Sequence, residues 1–193
     1  MNIAYLLQKI VRGKERGNGT MILERVYIRK FRKEDWKDLY EYLSDPEVVK
    51  FEPYDVFFEE EAKEEASKRA QHKSFYAVCL KENDKLVGNL YLDQSEFDTW
   101  ELGYVFNRKY QRQGYAIEGA SALVDYAFTE LGARRIIAMC NPDNHASWRL
   151  LEKLHMRREG HLKQNIYFKQ DAMGNPLWLD TYLYGILKSE WRN

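Results

Sequence analysis

"TWELGYVFNRKYQRQGYAIEGA", residues 99–120, passes from a strand-like run into a helix-like run through a turn crowded with donors. Residues 99–107 read as a strand, and its alternation sets Glu101, Gly103 and Val105 on one face and Leu102, Tyr104 and Phe106 on the other. From Tyr115 onward Ile117, Ala120, Val124, Ala127, Phe128 and Leu131 recur at helical spacing, and Gly132 ends the stripe where a left-handed cap is tolerated. The first turn of that helix exposes backbone N–H groups with no intrahelical acceptor, at the positive end of the helix dipole. A diphosphate would be held there by backbone donors. Gly114 permits close approach, Arg112 offers charge-assisted bonds, and Gln111 and Gln113 offer neutral ones. The turn is either such an anion site or an ordinary capped helix start. It lacks the glycine-lysine-serine/threonine ending of a P-loop and the three spaced glycines of a dinucleotide fingerprint.

Outward from this turn, "ERVYIRKF" (24–31) reads as an edge-side strand. "KEDWKDLYEYLSDPEV" (33–48) repeats Trp36, Leu39, Tyr40 and Leu43 at helical spacing until Ser44-Asp45-Pro46 stops it. "FFEEEAKEEASKRAQ" (57–71) is a second helix, acidic early and basic late as the dipole prefers, and its acidic start suits a solvated face better than a wall for a cationic acceptor. "SFYAVCL" and "KLVGNLYLD" form a hairpin about "KEND". "RRIIAMC" (134–140) reads as a strand buried on both faces, "NPDNHASWRLLEKLHM" (141–156) as a loop and short helix, and two long strands close the chain around "DAMGNP". The order is β-α-α-β-β-β-α-β-α-β-β. Antiparallel hairpins with one strand–helix–strand crossover make a mixed α+β sheet in one domain, residues 21–193. Residues 1–20 read as a leader or extension, a short helix plus linker.

Composition narrows the function classes. The chain has 193 residues, 45% hydrophobic and 31% charged, which suits a folded globular domain. Fourteen Tyr, nine Phe and five Trp favour a sheet-built core. Zero formal net charge argues against nucleic acid or an anionic membrane as the main partner. No apolar run reaches the roughly 18 residues of a membrane span. Cys79 and Cys140 sit in apolar runs and read as buried free thiols, which suits a reducing, cytoplasmic setting. The four histidines show no metal-ligand spacing, so no metal is expected.

"WELGYVFNRKYQRQGYAIEGASALVDYAF" (100–128) followed by "NPDNHASWRLLEKLHM" resembles the GNAT superfamily of acetyl-CoA-dependent N-acetyltransferases. Within it, "SDPEV" (44–48) and "LKSEW" (187–191) are similar to the branch that acetylates ribosomal-protein N-termini. The similarity runs from about residue 22 to the C-terminus, and Gln111, Gly114 and Ala116 take the defined positions of the family's pyrophosphate signature. The resemblance implies a mostly antiparallel sheet of about seven strands flanked by helices, with a V-shaped opening between the strands ending near Phe106 and Cys140. It implies acetyl-CoA as co-substrate: pantetheine against the backbone around Val105 and Phe106 with Asn144 beside it, and pyrophosphate on Gln111, Arg112, Gln113, Gly114, Tyr115 and Ala116.

The implied reaction needs a neutral amine, a stabilised oxyanion and a proton for the departing thiolate. An α-amine titrates near about 8 and a lysine near about 10.4, so an N-terminal acceptor demands less of a base. Glu101 matches the glutamate of this strand in the branch and is the expected base, directly or through water; the plain alternative is a solvated or salt-bridged glutamate. Leu151 stands where many family members carry a tyrosine, seven residues after the asparagine, and Ser147 is the expected substitute near the sulfur; the plain alternative is a first-turn serine bonding local backbone. His155 and Met156 replace a glycine-aromatic pair, and histidine accepts a left-handed cap better than most residues. Cys140 reads as a structural thiol, and Asp180 and Tyr182 as amine-side contacts. The expected function is acetyl transfer to a primary amine, favouring a protein N-terminal α-amine of ribosomal-protein type. The alternatives are a polyamine, aminoglycoside or amino-acid acetyltransferase, or a non-catalytic acetyl-CoA sensor. The chain is expected to be a monomer or homodimer.

Overall fold

The computed structural model describes residues 19–191, so the expected leader or extension lies almost wholly outside them. Eight strands form one sheet: β1 (Met21–Ile22), β2 (Val26–Lys30), β3 (Phe75–Leu80), β4 (Leu86–Gln94), β5 (Thr99–Phe106), β6 (Arg135–Cys140), β7 (Arg157–Gln170) and β8 (Pro176–Leu187). Their spatial order is β1-β2-β3-β4-β5-β6-β8-β7, and every neighbouring pair is antiparallel except β5 and β6. The mixed α+β fold is as expected, with one strand more. β1 is two residues long, too short to show any periodicity, and it displaces β2 from the edge.

The helices are α1 (Trp36–Leu43), α2 (Pro46–Val49), α3 (Glu59–Gln71), α4 (Tyr115–Thr129) and α5 (His145–Lys153). Pro46 ends the α1 stretch and opens α2, whose N-terminus Asp45 caps by accepting from Glu47 N at 3.0 Å. The two sheet faces carry separate cores. Val26, Ile28, Val78, Leu90, Leu102 and Phe106 pack with Leu123, Val124 and Phe128 of α4 and Leu151 of α5. On the other face Ala77, Cys79 and Leu86 pack with Leu39 and Leu43 of α1 and Ala66 of α3. Each fully buried aliphatic side chain stabilises the fold by roughly 1.5–3 kcal/mol. Both cysteines are free and buried, as expected.

β6 departs from its sequence reading. Ile136, Ala138 and Cys140 are buried, but Met139 on the opposite face is 45% exposed, so the strand is covered on one face only. An apolar run cannot distinguish burial on two faces from one buried face beside an open site. His155 has φ 60 and Met156 N donates to Leu151 O at 3.0 Å, a left-handed close to α5 built on histidine as expected. Among the described residues no helix is long and apolar enough to cross a membrane.

Candidate active site

Parallel strands need a crossover, and α4 supplies the one between β5 and β6. Their pairing is short: Thr99, Trp100 and Glu101 face Arg135, Ile136 and Ile137, and the ladder ends there. β5 runs on to Phe106 beside β4, and β6 to Cys140 beside β8. Past Glu101 and Ile137 the strands therefore have no mutual bonds, and the sheet opens into a V.

Asn107 N donates back to Val87 O at 2.9 Å. Strand alternation then turns the peptide groups of Val105 toward β4 and those of Tyr104 and Phe106 toward the opening. Val105 was expected to share a coenzyme contact through its backbone, but the register commits that backbone to the ladder. Gly88 opposite Phe106 is required by packing, since a Cβ there would sit 2.4 Å from the phenylalanine ring.

The turn after β5 is a 3-10 turn at Arg108–Tyr110, then Gln111 and the start of α4. Arg112 has φ 60 and Gly114 φ 89. Gly114 is the N-cap and has no side chain to offer, so its helix start lacks a side-chain acceptor. Among the described residues no acceptor receives the N–H groups of residues 112–117, which is the donor cradle the sequence suggested. The glutamines behave differently from expectation: Gln111 Nε2 donates to Phe106 O at 3.0 Å and Gln113 Nε2 to Lys109 O at 2.9 Å. Their amides brace the loop, so the donors left open at the turn are its backbone N–H groups.

A pair that sequence reading missed holds this cradle. Glu118, 2% exposed on the buried face of α4, accepts from Arg25 Nε at 2.9 Å, Arg25 N at 2.8 Å and Val26 N at 3.3 Å. Arg25 also donates to Gln113 O at 2.7 Å, and a Cβ at Gly114 would meet its guanidinium at 2.8 Å. A glutamate interrupting an apolar stripe at helix position 118 was the available signal.

Asn144 caps α5 by accepting from Ser147 N at 3.1 Å, which leaves its amide NH2 for another partner. Ser147 Oγ lies 2.9 Å from the Tyr104 hydroxyl, and that hydroxyl also donates to Ser147 O at 3.0 Å. Burial pushes the Tyr104 phenol far above its usual range. Leu151 is fully buried in the α4 core. Burial also pushes the Cys140 thiol up to about 11, so it holds its proton at neutral pH.

Glu101 lies at the apex of the V, on the face opposite Tyr104 and Ser147. Its carboxyl is raised above the usual range, first by burial and then by the charge of Asp93, its cross-strand partner on β4. Asp93 is held low by Ser74 Oγ, which donates at 2.6 Å, and further by the Tyr91 hydroxyl at 3.3 Å. Two adjacent carboxyls are thus pushed apart, Glu101 toward its protonated form and Asp93 toward its charged one. Replacing Asp93 with Asn is expected to move the acid limb of the kcat/KM–pH profile to lower pH, because Glu101 loses its like-charge neighbour; an unmoved limb would separate the two groups. On the loop after α2, Glu52 is raised to about 7 by its enclosure, against the pull of Tyr54 and Arg69. Arg69 and the Tyr42 hydroxyl both donate to Asn89 Oδ1 at 2.9 Å, and Asn89 pairs with Val105 beside the opening. Asp180 is occupied by Lys163 and His161, each at 2.9 Å. Tyr182 pairs with Cys140 and so lies on the α5 face, away from Glu101.

Residues 25–157 match the acetyltransferase (GNAT) domain family. The chain is 41% identical over 170 residues to the uncharacterized N-acetyltransferase YnaD of Bacillus subtilis, covering 87% of this chain and 96% of the relative. A GNAT-family acetyltransferase structure from Bacillus anthracis superposes with a TM-score of 0.80 at 41% identity, covering 89% of this chain and 99% of that one. The fold is shared more remotely with a ribosomal-protein-S5-alanine acetyltransferase from Vibrio fischeri (TM-score 0.71, 21% identity, 89% and 98% covered). It is shared equally with a spermidine N-acetyltransferase from Vibrio cholerae, solved with CoA and spermine (TM-score 0.71, 18% identity, 88% and 99% covered). An opened strand pair beside a donor-rich helix start, together with these relatives, places the chain in the GNAT family of N-acetyltransferases, as an acyltransferase.

Proposed function

We propose that this protein transfers the acetyl group of acetyl-CoA to a primary amine by direct attack, and that a protein N-terminal α-amine of ribosomal-protein type is its favoured acceptor. The observation that carries the reading is the apex of the V. Glu101 stands on one face of β5 where the parallel ladder ends, and Ser147 with Tyr104 stands on the other face. A base on one side and a hydroxyl pair on the other suit two substrates that meet through the slot.

Bound in the opening, acetyl-CoA supplies an activated acetyl thioester. The backbone edges of Tyr104 and Phe106 and the Asn144 amide orient its arm, while the N–H groups of residues 112–117 and Arg112 hold its phosphates. On the opposite face Asp93 keeps a negative charge that draws in an ammonium, and Glu101 takes the proton whose loss makes the nitrogen nucleophilic. An α-amine, titrating near about 8, is already partly neutral at pH 7, within reach of a moderately raised carboxyl. Peptide N–H groups at the open edge of β5 suit the developing oxyanion. Ser147 faces the departing sulfur. The free buried thiols support a reducing, cytoplasmic setting.

A second reading, acetylation of a polyamine, is favoured by one specific feature: Asp93 and Glu101 stand opposite each other as a carboxyl pair on one face of the sheet, and paired carboxyls suit an acceptor with more than one ammonium group. Free-thiol release from acetyl-CoA separates the two. The panel holds Ser-, Ala- and Met-starting peptides, an internal-lysine peptide, spermidine and an aminoglycoside, with acetyl-CoA binding followed by calorimetry. Turnover on the peptides with free N-termini is the expected result. Turnover confined to spermidine would replace the acceptor, and absence of any CoA binding would overturn the site.

A further inference from the structure

Resting on the assignment of Ser147 to the sulfur side, we propose that Tyr104 is the positioning residue that aims the Ser147 hydroxyl into the opening between β5 and β6. Tyr104 follows the last β5–β6 pair, so its strand edge borders the V, and alternation turns its ring to the α5 face. There its hydroxyl meets Ser147 at two atoms, the carbonyl oxygen at 3.0 Å and Oγ at 2.9 Å. Ser147 N is held by Asn144 at 3.1 Å, so the residue is fixed at three points.

The phenol has one proton for two nearly equidistant acceptors. Ser147 O can only accept. While the phenol donates to that carbonyl, Ser147 Oγ–H donates to the phenol oxygen and its proton is turned away from the opening. A small rotation of the phenolic O–H from the carbonyl to Oγ fills a serine lone pair and frees the serine proton for a sulfur in the V. Burial keeps the phenol protonated wherever the amine is nucleophilic, so this donor is always loaded. The Cys140 thiol, which also lies within reach of Ser147, keeps its own proton and carries no charge to compete.

In the transfer the amine nitrogen bonds to the acetyl carbon, the C–S bond breaks and its electron pair stays on sulfur. Ser147 donates a hydrogen bond to that developing charge. An acceptor that enters as an ammonium loses two protons from nitrogen, both through Glu101 to solvent, and the thiolate takes one back, so one proton is released per turnover and the count closes. The Tyr104 side chain touches neither substrate and works through Ser147.

The test is a double-mutant cycle on the full chain, with kcat and the KM for acetyl-CoA measured separately. Ser147→Ala should lower kcat on the order of 10- to 100-fold, the value of one hydrogen bond to a charged group. Tyr104→Phe should lower kcat about 10-fold with KM for acetyl-CoA unchanged, and adding it to Ser147→Ala should cost nothing more. The KM reports that each variant is folded; should Tyr104→Phe fail to fold, 3-fluorotyrosine at 104 keeps the hydroxyl and should change kcat only where Ser147 is present. Additive losses, or a Tyr104→Phe enzyme with unchanged kcat, overturn the inference and leave Ser147 in place. An unchanged kcat in Ser147→Ala overturns the sulfur-side reading itself.

Discussion

Glu101→Gln should lower kcat at pH 7 by roughly 100- to 10,000-fold, the usual worth of a positioned base, while leaving acetyl-CoA affinity within about twofold. The separation follows from geometry: Glu101 sits on the face of β5 away from α4, α5 and the donor turn. The pH dependence sharpens the test. A base works when ionised, and burial with the Asp93 charge raises the pH at which Glu101 ionises, so wild-type activity should fall as pH drops through that raised value. In the glutamine variant this limb should vanish, and the remaining rate should climb until the acceptor's own amine is neutral. Stability moves the opposite way. A carboxyl with a raised folded-state value binds more protons folded than unfolded, so its contribution is fully present below the unfolded value and is lost as pH rises through the folded one. At pH 7 Glu101 therefore costs stability, and the glutamine variant should melt slightly higher. Equal turnover of the two enzymes between pH 6 and 9 would remove Glu101 from the mechanism.

Glu118→Ala should destabilise the fold by about 2–4 kcal/mol and weaken acetyl-CoA binding as well. The lost carboxylate satisfies Arg25 Nε and the backbone N–H groups of Arg25 and Val26, and removing it strands donors at the start of β2. Arg25 is half exposed, so its guanidinium can turn to water and the loss stays below that of a fully buried pair. The coenzyme effect arises because Arg25 also holds Gln113 O and flanks Gly114. Urea unfolding with calorimetry on the folded fraction measures both. A loss below about 1 kcal/mol with unchanged affinity would show that the turn holds its shape unaided.

Much of this was legible in residues 99–120, because local periodicity and turn chemistry are short-range. Gln111, Gly114 and Ala116 marked the donor turn, and Gly114 does take the left-handed conformation that only glycine accepts cheaply. Glu101 and Tyr104 fell on opposite faces by alternation alone. The two-residue β1 lay below the length at which any pattern shows. Asp93 and Glu52 carried no signal, since a carboxyl in a strand end or a loop reads as a solvated charge until its neighbours are known.

By itself the sequence determined the order of the longer elements, though not the two-residue β1 or the four-residue α2, the hinge between β5 and α4, and the family resemblance that the comparisons bear out. These rest on spacing along one chain. Tertiary structure decided where the parallel ladder between β5 and β6 stops, that Val105 spends its backbone on β4, and that Gln111 and Gln113 brace the turn. It also decided that Arg25 and Tyr104 reach across 93 and 43 positions to Glu118 and Ser147. Pairing register and long-range side-chain contact depend on how separate segments pack against each other, and no periodicity within either segment encodes the distance between them.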